Sequence, residues 1–328
     1  MAPKARAAVD GNANWAVSHV VALIELWSII AEHSGLVGAW RLMGVCTAAR
    51  EGAKSWLRTL PRFVVCGGKA TGGNEATDVV WRLDLGKLQW EHSANLTCDR
   101  SSHACCVVRG GIVVLCGEAM SEDLDAYVFH ESVEVLQYHS QSPQSQVEEQ
   151  GAYPFNAVLP PLSCDARTLC DFVVLAIDES QSDAGQVLHI GGRQGDQLST
   201  TDAMHKVDLA TGVCTPQTPL LHARSAFAAG RLPDGRIVCA GGVAVNDDVT
   251  TFFRSAEILE PVLEPVVEGG STSGASWRWR ELPLMSVARI GCGGCILLDG
   301  RFAVFGGNDE SGEPTASCEA LTLDTQER

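Results

Sequence analysis

One stretch decides the fold: Arg289-Ile-Gly-Cys-Gly-Gly-Cys-Ile-Leu-Leu-Asp-Gly-Arg-Phe-Ala-Val-Phe-Gly-Gly307. Two apolar runs, at residues 292–298 and 302–305, flank Asp299-Gly300. An Asp-Gly pair between apolar runs predicts a β-hairpin, because a tight primed turn needs positive φ at both central residues. The second run meets Gly306-Gly307, where a backbone without Cβ can turn sharply or approach another chain closely.

The same unit begins 65 residues earlier at Arg224, and in both copies the first glycine follows the arginine by 17 residues. A third copy runs from Arg100 to Gly117 at this spacing, with Glu118 in place of the second glycine. Looser copies lie around 167–192 and 63–68. Five copies with a period of roughly 50 residues indicate a propeller or an array of repeats. The glycines that mark the repeats are Gly67, Gly68, Gly117, Gly191, Gly192, Gly241, Gly242, Gly306 and Gly307.

After each glycine pair the pattern predicts a polar loop and an alternating strand that ends in an acidic residue. These strands are expected at 79–84, 204–208, 256–260 and 319–324, and Asp84, Asp208 and Asp324 are expected to be structural partners of the repeat arginines. Three repeats add an outer strand with Trp90, Cys214 or Trp277 and Trp279, and 133–138 is the weaker equivalent in the second repeat.

The first repeat lacks an inner strand and the fifth lacks an outer one. The ring is therefore either small and imperfectly closed, or Arg328 is not the natural end of the propeller. Two polar stretches, 140–151 and 265–276, are predicted to be flexible insertions.

Composition bounds the function. The net charge of −16 argues against a nucleic-acid or anionic-membrane surface, because both need clustered Lys and Arg. The 13 cysteines fall mostly inside apolar strands, where a thiol packs as a small hydrophobe. No secretory signal and no apolar run of roughly 20 residues are found. These features favour a reducing compartment, cytoplasmic or nuclear.

The N-terminal part has a different period. Residues 1–14 are expected to be disordered, and 15–61 are expected to form three short helices. Apolar residues recur there at steps of three and four, a break is expected at Gly35 or Gly38, and Pro61 ends the pattern. From residue 62 to 328 the period is two, which is typical of strands.

The order of elements in 62–328 resembles the kelch repeat, in which a strand, a hairpin, a glycine pair, a third strand and a tryptophan strand form one blade of a β-propeller. The resemblance, shared with galactose-oxidase-like propellers, implies a mainly β protein with about five recognisable blades after a small three-helix module. A lone four-stranded sheet cannot cover its two apolar faces, but blades packed radially can.

Three stretches of residues 15–61 carry a second resemblance: Leu26-Trp27-Ser-Ile-Ile30, Trp40-Arg-Leu-Met-Gly-Val45-Cys46 and Trp56-Leu57. They resemble the helices of an F-box, the helical motif that docks on the Skp1 adaptor of cullin ubiquitin ligases. The alternative is a helical cap packed on the edge of the propeller. The resemblance implies these adaptor-docking residues: Leu26, Trp27, Ile30, Leu42, Val45 and Cys46.

The candidate partner-binding residues are the repeat arginines Arg100, Arg167, Arg224 and Arg289, each just before its inner strand. In a propeller this position is at one mouth of the central channel, where guanidinium groups could bind an acidic or phosphorylated peptide bidentately. The alternative is that each arginine pairs locally with a neighbouring acid or carbonyl and fixes its loop.

No catalytic residues, metal ligands or cofactor are expected. His130-Glu131 lacks a second histidine one helical turn later, and Cys292-Gly-Gly-Cys295 has no second cysteine pair, so the latter is predicted to be buried core. The leading hypothesis is a non-enzymatic interaction protein that serves as the substrate-recognition subunit of an SCF-type ubiquitin ligase. The alternatives are a propeller scaffold without a ligase link and a kelch-fold enzyme acting on a small molecule.

Overall fold

The structure is a computed structural model that describes residues 23–60, 63–69, 75–121, 126–137, 156–163, 170–177, 185–194, 199–246, 249–262 and 276–323. These fall into two compact units, one from Met1–Val65 and Val79–Asn95 and the other from Cys66–Asp78 and Leu96–Arg328. The expectations for residues 1–14, for 140–151, for all but the last residue of 265–276, and for Arg167 and Asp324 lie outside the described residues.

Two helices precede the strands, α1 (Ile24–Leu42) and α2 (Thr47–Leu57). Gly35 interrupts α1 with φ of 68°, as the break expected at Gly35 or Gly38, but the helix resumes directly and the result is a kink. The Cys46 side chain caps α2 by accepting a hydrogen bond from the Ala49 amide at 3.4 Å. The described part of the chain therefore has two helices, not the three that were expected.

The helices share a core with the strands of their own unit. Leu57 of α2 and Leu85 belong to one buried apolar cluster, and the Trp40 indole donates to the Leu85 carbonyl at 3.0 Å. The helices cross closely at Gly52, where a Cβ would stand 2.5 Å from the Cβ of Trp27. The hairpin thus depends on strand residues for burial, the arrangement expected of a helical cap on the edge of a sheet.

Among the described residues, five antiparallel sheets of three or four strands lie in a five-blade β-propeller arrangement, and three further sheets have two strands each. Three blades have four strands, while blades 1 and 5 have three among the described residues. Blade 1 contains β1 (Val64–Cys66), β2 (Thr77–Asp84) and β3 (Gln89–Arg100), and blade 2 contains β4 (Ala104–Val108), β5 (Gly111–Leu115), β8 (Val133–Gln137) and β9 (Asn156–Leu159). Blade 3 contains β10 (Val173–Ile177), β11 (Gln186–Ile190), β14 (Met204–Asp208) and β15 (Cys214–Pro216). Blade 4 contains β16 (Ala228–Arg231), β17 (Ile237–Ala240), β20 (Ala256–Pro261) and β21 (Trp277–Leu282), and blade 5 contains β22 (Gly293–Ile296), β23 (Phe302–Phe305) and β24 (Cys318–Leu321).

Three details differ from the expectations. The stretch 133–138 contributes the third strand of blade 2, and β9 is its outer strand. The β22–β23 pair ends at Ile296 and Phe302, so the connection is five residues long and closes with a bond from the Leu297 amide to the Arg301 carbonyl. Short hairpins replace the polar loops of blades 2 to 4: β6 (Glu118–Ser121) with β7 (Ala126–Phe129), β12 (Arg193–Gln194) with β13 (Ser199–Thr200), and β18 (Val243–Asn246) with β19 (Val249–Phe252).

Backbone hydrogen bonds join successive blades. The inner strands β4, β10, β16 and β22 contact one another in this order. At their starts the Gly291 amide donates to the Ala226 carbonyl at 2.7 Å, Ala226 to Asp171 at 2.8 Å, and Asp171 to Ser102 at 2.9 Å. All four residues have positive φ, between 51° and 63°. The equivalent backbone positions of blades 2 to 5 are thus linked in one line.

A second set of bonds ties each glycine pair to the next blade. The amides of Gly68, Gly192 and Gly242 donate to the carbonyls of Arg100, Arg224 and Arg289 at 2.7–2.9 Å. Glycine is required at such a position, because at Gly242 the φ is 93° and a Cβ would lie 2.6 Å from the Ser225 carbonyl oxygen.

The isolated β-bridges show how the repeats align with one another, and they change the alignment that the spacing predicted for blade 2. Ser101 pairs with Glu118 as Ser225 pairs with Val243, which places Gly117 at the second glycine position. Cys116 therefore occupies the first glycine position, with φ of 54°, and it follows Arg100 by 16 residues instead of 17. In blade 3 the bridge pairs Cys170 with Arg193, and the residue that precedes Cys170 in the sequence, as Arg224 precedes Ser225, is a leucine.

Candidate functional site

Three of the four repeat arginines are core residues. Arg100, Arg224 and Arg289 are each fully buried. The prediction that they present guanidinium groups at a channel mouth is therefore corrected, because a fully buried side chain offers no surface to a partner. Each guanidinium instead donates hydrogen bonds to groups of its own blade, which agrees with the alternative of local pairing.

The guanidinium contacts are the same in all three blades. One terminal nitrogen, Nη1, donates to the carbonyl at the first glycine position, that of Cys116, Gly241 or Gly306, at 2.8–2.9 Å. The other, Nη2, donates to a serine hydroxyl at 2.7–3.2 Å. These serines are Ser132, Ser255 and Ser317.

A glutamate two residues after each serine completes the site. Arg100 pairs with Glu134, Arg224 with Glu257 at 2.7 Å, and Arg289 with Glu319 at 3.1 Å. We call each set of arginine, serine and glutamate a repeat triad.

The second carboxylate oxygen of each glutamate accepts the backbone N–H of the residue three places before the arginine, at 2.7–2.8 Å. The triad thus fixes the segment that enters each blade. The amides that donate are those of Thr97, Leu221 and Ser286.

The sequence carries a signal for the triad that was overlooked. A Ser-x-Glu stretch occurs in the three blades that have the arginine in register, at 132–134, 255–257 and 317–319. Blade 3 has Ala203 and His205 at these places, together with the leucine at position 169, and blade 1 has Val79 and Trp81. All three members are thus present or absent as a set.

The acids at the ends of the third strands are turn residues instead of arginine partners. Asp84 Oδ1 accepts the amides of Gly86 and Lys87 at 2.8 and 3.0 Å, and Asp208 Oδ1 accepts those of Ala210 and Thr211 at 3.0 and 3.1 Å. Burial raises the pKa of Asp84, but the two backbone hydrogen bonds and Lys87 outweigh it and the net shift is downward.

Four charged side chains and one serine lie near the starts of the inner strands β4 and β10. We define the rim as Lys69, Ser102, Glu118, Asp171 and Arg193. Lys69 Nζ lies 3.9 Å from Glu118 Oε1, and the Ser102 hydroxyl donates to the same oxygen at 3.0 Å. Arg193 forms an ion pair with Asp171, whose amide donates to the Ser102 carbonyl. The five residues therefore form one continuous patch.

In the rim, each cationic side chain is more exposed to solvent than the carboxylate with which it pairs. The side chains of Lys69 and Arg193 are 36% and 27% exposed, against 8% for Glu118 and 24% for Asp171. Burial lowers the pKa of Arg193, but the Asp171 carboxylate outweighs it and the net shift is upward. Arg193 thus remains charged, and in each of the two pairs the cation is the more exposed member.

The rim is confined to one part of the propeller. The positions equivalent to Glu118 and Arg193 in blades 4 and 5 hold Val243 and Asn308. Those equivalent to Ser102 and Asp171 hold Ala226 and Gly291. Because these side chains are uncharged, only blades 1 to 3 offer ionic contacts here.

Blade 3 contains a buried histidine where other blades have an aliphatic side chain or a thiol. His189 is fully buried, and neither of its ring nitrogens has a hydrogen-bond partner among the described residues. Its ring lies 4.5 Å from that of Phe172 and 6.1 Å from that of His205, measured between centroids. Burial and then the neighbouring His205 lower the pKa of His189 to about 3, so this histidine is neutral in the folded protein.

The residues named for adaptor docking divide by exposure. Val45 lies in the turn between α1 and α2 and is 61% exposed. The others are half-buried against the helical hairpin: Leu26, Trp27, Ile30, Leu42 and Cys46.

The cysteines give no metal or disulfide site among the described residues. The 12 described cysteines are free, and no group of three His, Cys, Asp or Glu residues in the described ranges could hold a metal ion. Cys295 is exposed and Cys292 is only half-buried, so the expectation that both are buried core is wrong. Burial raises the pKa of Cys106 and of Cys116 to about 12, which keeps both thiols protonated.

No helix in the described part of the chain is long and apolar enough to cross a membrane.

Comparisons with known proteins show the fold. No family model and no curated protein matches the chain. Among solved structures 226 chains match, and one of them is the structure of YjhT, with a TM-score of 0.57 and 13% identity over 80% of this chain and 79% of that chain. At this identity the likeness establishes the propeller architecture alone. Function therefore has to be argued from the residues of this chain.

Proposed function

We propose that the protein is a non-enzymatic, kelch-type propeller that binds a protein partner at the rim. The observation that carries this proposal is the grouping of Lys69, Glu118, Asp171 and Arg193 on neighbouring blades. A surface of fixed, mutually oriented charges favours one charge pattern in a partner and penalises others.

The partner chemistry follows from exposure. The outermost groups are the Lys69 ammonium and the Arg193 guanidinium, so an acidic or phosphorylated peptide would meet cations first. Arg193 is already oriented by Asp171, and its guanidinium has five N–H donors, of which one ion pair uses only part. Orientation before binding lowers the entropy cost of fixing a long side chain.

The rim is tested by charge reversal. The unmodified full chain is used to co-purify its partners from cell extract. We expect Arg193→Glu and Lys69→Glu each to lose these partners, because the exposed side chain changes from positive to negative. The matched control is Arg236→Glu, which breaks a surface ion pair to Asp234 in blade 4. If the same partners are lost with Arg236→Glu, or retained with Arg193→Glu, the rim is not the binding surface.

A second candidate function is supported by the helical hairpin. Five large apolar side chains on or beside the helices are more than 40% exposed, namely Leu23, Ile24, Ile29, Val37 and Val45. Exposed apolar residues on a small helical element are typical of docking surfaces. We propose accordingly that the hairpin docks a Skp1-like adaptor, which would make the propeller a substrate receptor of an SCF-type ubiquitin ligase.

Adaptor docking is tested with purified Skp1. Val45→Asp should abolish binding of the full chain while leaving its melting temperature unchanged, since Val45 is largely exposed. Val249→Asp is the matched control, because Val249 is 65% exposed and lies in β19, outside the helices. An unmodified chain that fails to bind Skp1 would remove the ligase proposal and leave a propeller scaffold that captures its partner through residues 62–328.

A further inference from the structure

A thiol and an imidazole lie together beside the repeat triad of blade 2. The Cys98 Sγ atom lies 3.7 Å from His130 Nδ1, and Arg100 Nη2 donates a hydrogen bond to the same sulfur at 2.9 Å. Glu134 Oε1 lies 3.9 Å from the sulfur. The charge of this carboxylate is compensated by Arg100, and its other oxygen accepts the Thr97 amide. The thiol is therefore within reach of a base and of a fixed cation.

The same two positions adjoin the triads of blades 4 and 5, but they hold other residues there. Cys98 precedes its repeat arginine by two residues, and His130 precedes its triad serine by two residues. The amide of His130 donates to the carbonyl of the second glycine of its blade at 2.8 Å, and its equivalents in blades 4 and 5 do the same at 2.9 Å. The equivalent pairs are His222 with Phe253 in blade 4 and Val287 with Thr315 in blade 5.

The fold itself does not require the cysteine–histidine pair. Blade 5 forms its triad with neither a thiol nor an imidazole at these positions. In blade 4 the two side chains form a ring contact, with 5.9 Å between the centroids of His222 and Phe253. Blade 2 is thus the triad-containing blade in which these positions combine a nucleophile with a base.

The surroundings of the pair suit a reactive thiol. A guanidinium N–H directed at the sulfur stabilises the negative charge that develops when the thiol loses its proton. Burial and then Arg100 lower the pKa of His130, so the ring is neutral at pH 7 and can accept that proton at Nδ1. Nucleophilic cysteines in proteins are activated by a neighbouring base in this way.

We propose that Cys98 and His130 form a thiol site that reacts with hydrogen peroxide. Cys98 is half-buried, which favours a small electrophile over a bulky one. The site is separate from the rim and does not depend on the proposed function.

The reaction uses the pair in both directions of proton transfer. The thiol proton passes to His130 Nδ1, and the sulfur attacks one oxygen of the peroxide. The S–O bond forms as the O–O bond breaks, so the sulfur is oxidised by two electrons and the peroxide is reduced. The departing oxygen takes the proton from His130 and leaves as water, and Cys98 becomes a sulfenic acid.

The site is tested by trapping the sulfenic acid. The full chain is treated with dilute hydrogen peroxide in the presence of dimedone, and labelling of each cysteine is followed by mass spectrometry of its peptides. We expect Cys98 to be labelled roughly 10-fold faster than Cys295 and Cys318 or more, although the last two are exposed, because exposure alone does not activate a thiol.

Two variants identify the base. His130→Phe introduces the residue of blade 4, and His130→Thr introduces that of blade 5. Each should slow labelling of Cys98 by roughly 10-fold or more and leave Cys318 unchanged, because the acceptor of the thiol proton is lost. The matched control is His222→Phe, which removes a 41% exposed histidine from blade 4 and should leave the rate at Cys98 unchanged.

Three results would overturn the proposal. The first is labelling of Cys98 no faster than that of Cys318 in the unmodified chain. The second is an unchanged rate at Cys98 in both His130 variants. The third is slowing in one of these variants only, which would show that packing at residue 130 controls the rate and that the imidazole is not the base.

Discussion

The ion pair of Arg224 and Glu257 loses hydration on burial, and in return it penalises alternative arrangements of the blade. Both side chains are fully buried, so each loses its hydration. The pair recovers part of this loss through hydrogen bonds to carbonyl, hydroxyl and amide groups, while the Nε of Arg224 has no partner among the described residues. Such a pair contributes little net stability compared with apolar residues. Its main effect is to make other arrangements of the blade costly, since any of them leaves a buried charge unpaired.

Removal of one partner tests this view. We expect Arg224→Leu to lower the free energy of unfolding by roughly 3–5 kcal/mol, because Glu257 is left buried without its counter-charge. Urea denaturation measures the change. Arg289→Leu is the matched variant and should cost less, because the Glu319 side chain is 22% exposed and can be hydrated.

The blade 3 residues provide the compensating change. Arg224→Leu/Ser255→Ala/Glu257→His introduces the set that blade 3 uses, and we expect it to be more stable than Arg224→Leu alone. A triple variant no more stable than the single one would show that the members of the triad act independently of one another.

At the scale of the element, blade 3 lacks the arginine–glutamate pair of blades 2, 4 and 5 and contains His189 and His205. Burial also lowers the pKa of His103 in blade 2, to about 4, and the neighbouring Arg100 adds to the effect. Both His103 and His189 are thus neutral in the folded protein at pH values where the unfolded chain, with an ordinary pKa of 6.5, takes up protons. The stabilisation is fully present above about pH 6.5 and is lost as the pH falls towards 4 and then 3.

The pH dependence can be assigned to one side chain. We expect the melting temperature to fall between about pH 7.5 and pH 5, and His189→Val to reduce this fall, because valine occupies the equivalent place in β5 and β23 and does not titrate. A His189→Val protein with the same pH dependence as the unmodified chain would show that His189 is hydrated in the folded state.

At the scale of the whole molecule, local patterns predicted the elements and missed their partners. The alternation of apolar residues and the glycine pairs located most strands of the five blades, because both depend on a few neighbouring residues, but β9 and the short hairpins of blades 2 to 4 were not predicted. The burial of Arg224 depends on Glu257, 33 residues away in the sequence, and the rim depends on Lys69, Glu118 and Arg193 in different blades. Arginines were placed at the surface because charged residues usually lie there, and the Ser-x-Glu stretches that would have corrected this were not compared.

The repeat register was missed for a related reason. Spacing alone aligned Gly117 with the first glycine. However, the paired residues Ala104 and Leu115 of blade 2 are 11 residues apart, whereas Ala228 and Ala240 of blade 4 are 12 apart, and Cys116 adopts the positive φ that glycine takes elsewhere. The third helix was predicted because a glycine within an apolar period was interpreted as a loop, although a single residue with φ of 68° only bends α1.

The repeat triads also define where this protein can be cut and rejoined. A segment that begins at a repeat arginine and ends just before the equivalent position of the next blade keeps that arginine with its own serine and glutamate. A graft made at the start of the inner strand instead would divide the triad between two parent sequences. Blade insertion, deletion or shuffling should therefore follow the arginines.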